Sequence, residues 1–367
     1  MDQRLPTRPE DFTVAWLNDH LVVPGAAKTS RIIECRSRAS TTPGQTAEIA
    51  FLDVEWDQIG PELPTRLIAK YTSQNPQVIA EIVNVFDQYR RETGFYRDFE
   101  APGIDVAPCF FQCHQPDQQA FVLILEDLGP SESPSWAISE SQVTFALAQL
   151  PKLHARWWNQ ALLREKDYFV QYDDPAFFAL GFGAAAQIVE QLGTWFDAPD
   201  FTQELMPMVA KKLSALQALY ANRPFTLVHG DYHAKQLFFP SAAGGRFAVI
   251  DWQFPFIAQG AWDFARLLTL GLATVDRRAR ETSLLDQYHQ GLVDGGVEDY
   301  TLDDLTLDFQ LGLIISHMIN IIAIGSTDEQ LIKEECDALG VDWKDVMFYR
   351  GQNALKDWQV LELISEL

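Results

Sequence analysis

The sequence predicts an α+β fold of two lobes, in which a small β-rich N-terminal lobe with one helix precedes a larger, mainly helical C-terminal lobe. Its length of 367 residues exceeds that of a typical small domain and favours two lobes. The first third carries strand-type runs separated by Gly- and Pro-rich turns, whereas most of the chain after residue 138 repeats apolar residues at helical spacing. We expect the lobes to cover residues 1–126 and 127–367.

The N-terminal lobe is predicted to be an antiparallel sheet with one helix. The runs at 30–40, 47–56 and 65–72 have strand-type composition, and "TTPGQT" and "QIGPELP" between them are turn sequences. Residues 76–100 follow, with apolar residues at helical spacing. The segments "VAPCFFQCH" and "QAFVLILEDL" then flank "QPDQ", which predicts a hairpin whose almost wholly apolar second strand lies inside the sheet.

The C-terminal lobe is predicted to be helical, with one embedded hairpin. "SESQVTFALAQLPKLHARWWNQALL" has apolar residues at i, i+3 and i+4 steps. The hairpin strands "LFF" and "FAVIDW" are joined by the turn "PSAAGGR". The longest apolar run, "LGLIISHMINIIAIG" at 311–325, is shorter than a bilayer span and contains His317 and Asn320, so we expect a buried helix.

Composition limits the possible functions. The formal net charge of −23 disfavours binding to nucleic acid or to anionic membranes. The acidity fits either general solubility or a cleft that attracts a cationic ligand. The four cysteines are too sparse for a disulfide scaffold, and Cys109, Cys113 and His114 lack the second ligand pair of a zinc site. The first residues contain no apolar core of signal-peptide length, so we expect a soluble, cytoplasmic protein.

Two aspartates mark the ends of the embedded hairpin. Asp231 lies just before one strand and Asp251 lies at the end of the other. This arrangement predicts both carboxylates at one edge, within about ten ångströms by strand spacing. Such a pair can divide labour, because one carboxylate can accept a proton from a hydroxyl while the other holds a divalent metal that bridges phosphates.

A lysine in the first lobe is a candidate partner for phosphate. Lys70 lies inside the strand-type run "LIAKY", where an isolated buried charge is costly and needs an anionic partner. Glu92 on the predicted helix is the best candidate for that partner. The turn "TTPGQTAE", which contains Gly44, would lie over the phosphates. The order of glycine turn, lysine, helical glutamate, apolar connector and two aspartates matches the order of parts in protein kinases.

Longer motifs extend this match. "LVHGDYHAKQLFF" resembles the HGD-x-x-x-x-N catalytic loop of the kinase-like small-molecule phosphotransferases, and "FAVIDWQ" resembles their I-D-[WF]-[QE] metal-binding segment. "LPTRLIAKYT", "RRETGFYRDF", "FVLILEDLG", "LPKLHARWW" and "GAWDFARLL" resemble further motifs of that family. The chain resembles aminoglycoside phosphotransferases and choline kinases, and most closely the ecdysteroid-kinase-like branch, over roughly residues 25 to 330. The resemblance implies a protein-kinase-like fold, with 1–126 as the nucleotide-binding lobe and 127–367 as the catalytic and substrate-binding lobe.

The resemblance also implies roles for individual residues. Asp231 would be the catalytic base or would orient the acceptor hydroxyl, and His229 would brace its loop. Asp251 would be the main Mg²⁺ ligand. Lys70 would contact the α- and β-phosphates of ATP, and Glu92 would hold Lys70.

Two further parts of the site follow from the same resemblance. The backbone of the apolar connector would meet the adenine edge through Glu126, Asp127 and Leu128. Asp263 would be a structural partner of the catalytic loop.

Several polar or aromatic side chains leave two interpretations open. His233 either faces the substrate or only solvates the loop, and Lys235 either contacts the γ-phosphate during transfer or points to solvent. His154 fits a core histidine bonded to a backbone carbonyl better than a functional one. The ten tryptophans invite an aromatic cage for a quaternary ammonium ligand, although packing is the commoner role.

Gln236 departs from the family pattern. The family has asparagine at this position, and in the kinase template that asparagine binds the second metal. Glutamine keeps the amide oxygen and adds a methylene, so it either reaches the same ion with another rotamer or weakens the second metal site. We therefore assign Asp251 and Gln236 as candidate metal ligands.

The sequence thus predicts an enzyme that uses ATP and Mg²⁺ and moves the γ-phosphate to a hydroxyl of a small molecule. No A-P-E element follows Asp251, which argues against a protein acceptor. The acceptor stays open among aminoglycoside-, choline- and sterol-like alcohols and other metabolites. The alternative is a nucleotide-binding pseudokinase that acts as a binding or scaffold protein, which only Gln236 favours.

Overall fold

The structure, a computed structural model, describes residues 4–27, 29–41, 44, 46–171, 173–326 and 329–367. The chain divides into two compact units. Unit 1 comprises Met1–Ala101, Asp105–Glu132 and Phe238–Phe254, and unit 2 comprises Pro102–Ile104, Ser133–Leu237 and Pro255–Leu367. The predicted lobe boundary after residue 126 stays a prediction.

Ten β-strands occur within the described ranges. They are β1 (Ile32–Ala39), β2 (Ala47–Trp56), β3 (Arg66–Thr72), β4 (Cys109–Gln115), β5 (Ala120–Glu126), β6 (Val170–Gln171), β7 (Thr226–Val228), β8 (Leu237–Phe238), β9 (Ala248–Val249) and β10 (Phe256–Ala258).

Sixteen α-helices occur in the same described part of the chain. They are α1 (Val14–His20), α2 (Pro76–Val78), α3 (Asn84–Phe86), α4 (Gln88–Asp98), α5 (Glu140–Leu147), α6 (Leu150–Arg156), α7 (Ala161–Arg164), α8 (Pro175–Ile188), α9 (Asp200–Lys211), α10 (Leu213–Ala221), α11 (Ala261–Gly271), α12 (Thr274–Asp294), α13 (Leu302–Ser326), α14 (Glu329–Ala338), α15 (Arg350–Asp357) and α16 (Val360–Glu366). Short 3-10 helices lie at Pro9–Asp11, Pro116–Gln118, Val189–Thr194 and Ala234–Gln236, and π-helices lie at Ile79–Val83 and Asp345–Tyr349.

Unit 1 is built on a five-stranded antiparallel sheet in the order β1-β2-β3-β5-β4. The predicted meander and hairpin are confirmed, and the apolar strand β5 lies between β3 and β4. Along β5, Val122 and Ile124 pack into one hydrophobic cluster, while Phe121 and Leu123 pack into another. Because side chains alternate across a strand, burial on both faces explains why β5 is apolar at nearly every position.

The helix predicted for residues 76–100 is interrupted. Helices α2 and α3, with the π-helix between them, end at Phe86, and Asp87 then adopts a left-handed backbone with φ of 50°. Helix α4 begins at the next residue. Aspartate tolerates the left-handed region better than most residues do. The prediction of one continuous helix was therefore wrong at Asp87, because the apolar spacing continues across the break.

Helices α11 and α13 form the centre of unit 2. Every residue of α11 is buried, and the predicted buried helix at 311–325 is confirmed as part of α13. The two helices approach closely at Gly312, where an added Cβ would lie 2.8 Å from the carbonyl oxygen of Ala261. A larger residue at Gly312 would therefore push α13 away from α11.

Two described helical stretches, Pro175–Thr194 and Leu302–Ser326, are long and apolar enough to cross a membrane. In the second stretch, 72% of the apolar window is buried inside the protein. Length and composition alone do not separate a membrane span from a core helix, and burial assigns Leu302–Ser326 to the core of unit 2.

A small sheet in unit 2 leads into the predicted catalytic loop. Its strand order is β6-β10-β7, and Val228 of β7 pairs with Phe256 of β10. The loop, residues 229–236, begins directly after β7 and ends in a turn of 3-10 helix at Ala234–Gln236. The strand pair anchors the start of the loop, so its backbone leaves the sheet in a defined direction.

His317 of α13 is a buried histidine that should make stability depend on pH. Thr202 donates its hydroxyl hydrogen to Gln352, so it accepts one from His317 Nε2 at 3.0 Å, and His317 Nδ1 has no hydrogen-bond partner among the described residues. Burial lowers the pKa of His317 to about 3. Below about pH 6.5, His317 therefore binds a proton in the unfolded chain but stays neutral in the folded chain.

We predict that the free energy of unfolding falls as pH is lowered from 6.5 towards 3, with His317 contributing about 1.4 kcal/mol per pH unit. The measurement is urea unfolding between pH 5 and 7.5 for the wild type and His317→Gln, which cannot titrate. All other groups are common to both proteins, so the difference in slope isolates His317. Equal slopes would show that His317 does not titrate in this way.

Candidate functional site

The predicted site residues of unit 1 form the Lys70 cluster, which consists of Lys70, Glu92 and Asp251. Lys70 Nζ donates hydrogen bonds to Glu92 Oε1 at 2.9 Å and to Asp251 Oδ1 at 2.6 Å. The Lys70 side chain is 14% exposed and that of Glu92 is 2% exposed. Two carboxylates therefore share one lysine in a site that is largely removed from water.

Local structure explains how these side chains meet. Ala69 and Tyr71 of β3 face one hydrophobic cluster, so Lys70 between them faces the opposite side of the sheet. Helix α4 lies on that side and carries Glu92. Asp251 follows β9 and has a left-handed backbone with φ of 66°. Strained backbone at a non-glycine residue is typical of positions where the direction of a side chain matters.

The two carboxylates of the cluster stabilise the charge of Lys70. Burial alone would lower the pKa of Lys70, but Asp251 and Glu92 outweigh burial and raise it above its usual range. Burial raises the pKa of the Glu92 carboxyl, Lys70 opposes this shift and Asp251 adds to it. Lys70 therefore stays positively charged.

Gln253 and Thr46, which the sequence argument missed, support Asp251. Gln253 donates from Nε2 to Asp251 Oδ2 at 3.1 Å, and its Oε1 accepts from the hydroxyl of Thr46 at 2.9 Å. Trp252 is fully buried and stacks on Phe95 of α4 with ring centroids 3.9 Å apart. These contacts fix the segment around Asp251 against α4 and the start of β2. Gln253 follows "FAVIDW" in the sequence, but no neighbouring residue indicated that it would bond to Thr46.

The donor set of the Lys70 cluster fits magnesium better than zinc. No group of three His, Cys, Asp or Glu side chains lies close enough to hold a metal in the described ranges of the chain. Mg²⁺ needs only one or two protein carboxylates when phosphate oxygens and water complete its shell. Asp251 offers that carboxylate. The hydroxyl of Tyr96 is buried and has no hydrogen-bond partner among the described residues. Burial raises its pKa, and the charges of Glu92 and Asp251 add to this shift. This hydroxyl could donate a hydrogen bond to a polar ligand or to water.

The connector predicted to meet adenine follows β5. The backbone N–H of Glu126 donates to Pro108 and that of Asp127 donates to Arg66. Within the described residues, Leu128 N–H therefore remains as the candidate backbone donor of this segment. The connector itself is held by an ion pair of Glu126 with Arg246 at 2.5 Å.

The glycine turn is only partly described. Thr42, Pro43 and Gln45 of "TTPGQTAE" lie outside the described residues. Gly44 lies so close to the following strand that an added Cβ would be 2.5 Å from the carbonyl oxygen of Ala47. This close approach requires glycine, and the predicted contact of Gly44 with phosphates stays a prediction.

The predicted site residues Asp231 and Gln236 of unit 2 lie with His233 and with Arg266, which was not predicted, in what we call the Asp231 cluster. Arg266 contacts Asp231 Oδ1 through Nε and Nη2, both at 2.7 Å. His233 Nε2 lies 3.3 Å from Asp231 Oδ2, and Gln236 Nε2 donates to the same oxygen at 3.5 Å. Both oxygens of Asp231 are therefore engaged by donors. The expected proximity of Asp231 and Asp251 stays a prediction, since the two residues belong to different units.

The electrostatics of Asp231 follow from these contacts. Burial alone would raise the pKa of the Asp231 carboxyl, but the His233 imidazole and the Arg266 guanidinium outweigh burial and hold the pKa well below its usual range. Asp231 is therefore ionised at neutral pH. An ionised carboxylate with so low a pKa accepts a hydrogen bond well but is a weak base.

Asp263 holds the backbone of the catalytic loop. Its carboxylate is fully buried and accepts from the N–H groups of His229 at 2.7 Å and Gly230 at 2.9 Å. His154 Nε2 lies 3.4 Å from the same carboxylate, and its Nδ1 lies 2.7 Å from the hydroxyl of Tyr288. The expected backbone-carbonyl partner of His154 was therefore wrong, because two side chains distant in sequence occupy both ring nitrogens.

Two other loop residues have defined partners. His229 is buried, and its Nδ1 accepts a hydrogen bond from the N–H of Asp231 at 3.2 Å. This bond stabilises the turn of the loop between the two residues. Lys235 forms an ion pair with Glu335 of α14. The roles predicted for His229, Lys235 and Gln236 stay predictions.

Arg266 is the main residue of the site that sequence reasoning missed. It occurs in "GAWDFARLL", three residues after Asp263, so both side chains lie on one face of α11. The sequence did contain a signal for this role, because Arg266 lies in an otherwise apolar helical run. An arginine that is buried in such a run requires a carboxylate partner.

Comparisons with known proteins agree with this architecture. The profile of a protein family described as "Uncharacterized oxidoreductase dhs-27" matches residues 197–338, which is less than half of the chain. No curated protein matches the sequence.

Solved structures show where the fold belongs. The choline kinase of Cryptosporidium parvum Iowa II is similar with a TM-score of 0.56 and 9% identity, covering 96% of this chain and 98% of the other. The ethanolamine kinase of Plasmodium vivax has a TM-score of 0.53 and 11% identity over 91% and 83%. A candidate aminoglycoside phosphotransferase of Ralstonia eutropha JMP134 has a TM-score of 0.53 and 15% identity over 94% and 97%.

The chain has the protein-kinase-like fold. The resemblance that the sequence motifs indicated is thereby confirmed at the level of the fold. At these identities the likeness carries no information on individual site residues.

The support of the loop by Asp263 can be tested through stability. We predict that Asp263→Asn lowers the free energy of unfolding by about 3 kcal/mol, because the amide of asparagine keeps one acceptor oxygen and turns a donor towards a backbone N–H. Thermal or urea unfolding measures this loss. Asp286→Asn on the exposed side of α12 is the matched control and should change stability by less than about 0.5 kcal/mol. Equal stability of both variants would show that Asp263 does not hold the loop.

Proposed function

We propose that the protein is an ATP- and Mg²⁺-dependent phosphotransferase that moves the γ-phosphate to a hydroxyl of a small molecule. The observation that carries this proposal is the Lys70 cluster, in which a lysine on β3 is paired with a glutamate on α4 and with Asp251. These parts occur in the order and the structural contexts of the nucleotide site in kinases. The kinase-like fold supports the same reaction class.

Lys70 would neutralise phosphate charge, and Glu92 would keep the lysine in place. Asp251, with Gln236 as the second candidate, would hold the Mg²⁺ that accompanies ATP, and the ion would supply neutralisation of phosphate charge. Leu128 N–H would donate to the adenine edge. These groups bind and orient the donor and take no part in covalent chemistry.

Asp231 would accept a hydrogen bond from the acceptor hydroxyl and orient it towards the γ-phosphorus. Its low pKa supports orientation rather than early removal of the proton. This assignment fits a loose transition state for phosphoryl transfer, in which positioning and charge stabilisation contribute most of the rate.

The acceptor would be a small molecule. The structural neighbours named above are a choline kinase, an ethanolamine kinase and a candidate aminoglycoside phosphotransferase, and all three names refer to small hydroxyl compounds. The description of the matching family profile names an oxidoreductase. Residues 197–338 contain no G-x-G-x-x-G fingerprint of a dinucleotide site, but they contain Asp231 and Asp251. We therefore propose phosphoryl transfer rather than hydride transfer.

Two variants should separate donor binding from transfer. We predict that Lys70→Met weakens MgATP binding at least about tenfold, whereas Asp231→Asn keeps MgATP binding and lowers turnover about a thousandfold. Calorimetric titration measures the binding, and ADP release with a panel of alcohols measures turnover. Asp231→Asn is preferable to Asp231→Ala, because alanine would remove the acceptor of Nε and Nη2 of the buried Arg266.

Full turnover by Asp231→Asn would overturn the proposed role of Asp231. Nucleotide binding by the wild type without turnover of any alcohol would favour the pseudokinase alternative. Absence of nucleotide binding would overturn the proposed function as a whole.

Gln236 is tested through the metal requirement. We predict that Gln236→Asn keeps activity, since asparagine retains the amide oxygen, and that Gln236→Ala raises the Mg²⁺ concentration needed for half-maximal turnover. The measurement is turnover as a function of free Mg²⁺ at saturating ATP. Equal Mg²⁺ dependence of the wild type and Gln236→Ala would remove Gln236 from the metal site.

A further inference from the structure

His233 connects the backbone of the catalytic loop with the carboxylate of Asp231. Its side chain is only 9% exposed, so water has little access to the imidazole. Nδ1 accepts a hydrogen bond from the backbone N–H of Lys235 at 3.2 Å. Nε2 lies 3.3 Å from Asp231 Oδ2 and forms a side-chain hydrogen bond with it. Both ring nitrogens are therefore engaged inside unit 2.

The bond at Nδ1 determines what Nε2 can do. A backbone N–H only donates, so Nδ1 of His233 contributes its lone pair and carries no hydrogen. The ring hydrogen then lies on Nε2, which makes this nitrogen the donor to Asp231 Oδ2. While these two bonds persist, the ring has no free lone pair that could take the proton of an alcohol. The contacts thus favour His233 as a donor and not as a base.

Two contacts fix the orientation of the imidazole. The ring of Trp136 stacks on that of His233, with centroids 5.0 Å apart and an angle of 30° between the planes. The backbone of His233 is extended and leads directly into the 3-10 turn Ala234–Gln236. By accepting from Lys235 N–H, the side chain caps this turn as a polar residue caps a helix. The direction of Nε2 is therefore set by the loop and by Trp136.

The two oxygens of Asp231 are held unequally. Arg266 contacts Oδ1 through Nε and Nη2, both at 2.7 Å. The contacts of Oδ2 are longer, with His233 Nε2 at 3.3 Å and Gln236 Nε2 at 3.5 Å. The Gln236 contact is at the limit of hydrogen bonding, so a hydroxyl can replace it with little loss. Oδ2 is therefore the oxygen that is better able to accept an alcohol.

We propose that His233 is a positioning residue, whose Nε2 hydrogen holds Asp231 Oδ2 in the orientation that receives the acceptor hydroxyl. The inference rests on the proposed function, since it concerns the group that orients the acceptor in that reaction. Arg266 fixes one oxygen of the carboxylate and His233 fixes the other. A carboxylate that is held at both oxygens is oriented before the acceptor binds, and its misplacement lowers the rate of transfer rather than the affinity for the nucleotide.

Two amide variants separate the two bonds of His233. The amide nitrogen of His233→Gln lies about as far from the backbone as Nε2 and can donate to Asp231, but glutamine is a poor cap of the turn. His233→Asn is shorter, so its oxygen can accept from Lys235 N–H while its nitrogen does not reach Asp231. His233→Leu makes neither bond and serves as the reference.

We expect kcat to be at least about tenfold higher in His233→Gln than in His233→Asn, and His233→Leu to be as slow as His233→Asn. The measurement is ADP release with the best alcohol of the panel at saturating MgATP. Calorimetric titration should give the same MgATP affinity for all three variants, because the contacts of His233 lie in the Asp231 cluster.

His289→Asn is the matched control. His289 also bonds through a ring nitrogen, to the carbonyl oxygen of Tyr300 at 2.7 Å, and it stacks on the ring of that tyrosine. It lies on α12 outside the Asp231 cluster, so this variant should keep the turnover of the wild type. Thermal unfolding shows that each variant is folded before its turnover is compared.

The outcomes distinguish this inference from the proposed function. Faster turnover by His233→Asn than by His233→Gln would show that His233 acts by capping the turn. Equally slow turnover by all three variants would show that the imidazole itself transfers a proton, and turnover at the wild-type rate by all three would show that His233 has no role. Each of these results would overturn the inference alone. Absence of alcohol-dependent ATP turnover in the wild type would overturn the proposed function and the inference together.

Discussion

A charge that is buried away from water must be paired, and both clusters of the candidate site are organised by this constraint. Lys70 is buried on β3 because Glu92 and Asp251 share its ammonium group. Asp231 is buried in the loop because Arg266 and His233 occupy its two oxygens. Each pairing joins segments that are separate in sequence. The same polar groups therefore position the backbone of the site and set the charges of its side chains.

Helix α11 has a central place in unit 2 for the same reason. One turn of this fully buried helix carries Asp263, which accepts from the loop backbone, and Arg266, which pairs with the carboxylate of the loop. A residue spacing of three puts both side chains on one face. The position of the loop and the electrostatics of Asp231 therefore depend on the same element.

Periodic features of the fold were predictable from the sequence, and single contacts were not. The strands of unit 1 and the buried stretch of α13 followed from runs of apolar residues, because burial on one or two faces imposes a local period. The left-handed residue at Asp87 escaped prediction, since the apolar spacing continues on both sides of it. The side-chain partners of His154 also escaped prediction, because Asp263 and Tyr288 lie more than a hundred residues away in sequence.

The sequence by itself determined the order of the parts: a lysine within a strand, a glutamate in a helix, and two aspartates at the ends of a hairpin. That order indicated the fold class and the reaction class. Only the tertiary structure decided which charges are paired, with Lys70 bonded to Asp251 across 181 residues and Asp231 bonded to Arg266 across 35. The physical reason is that backbone periodicity is a local property of the chain, whereas the partner of a buried charge is chosen by long-range packing.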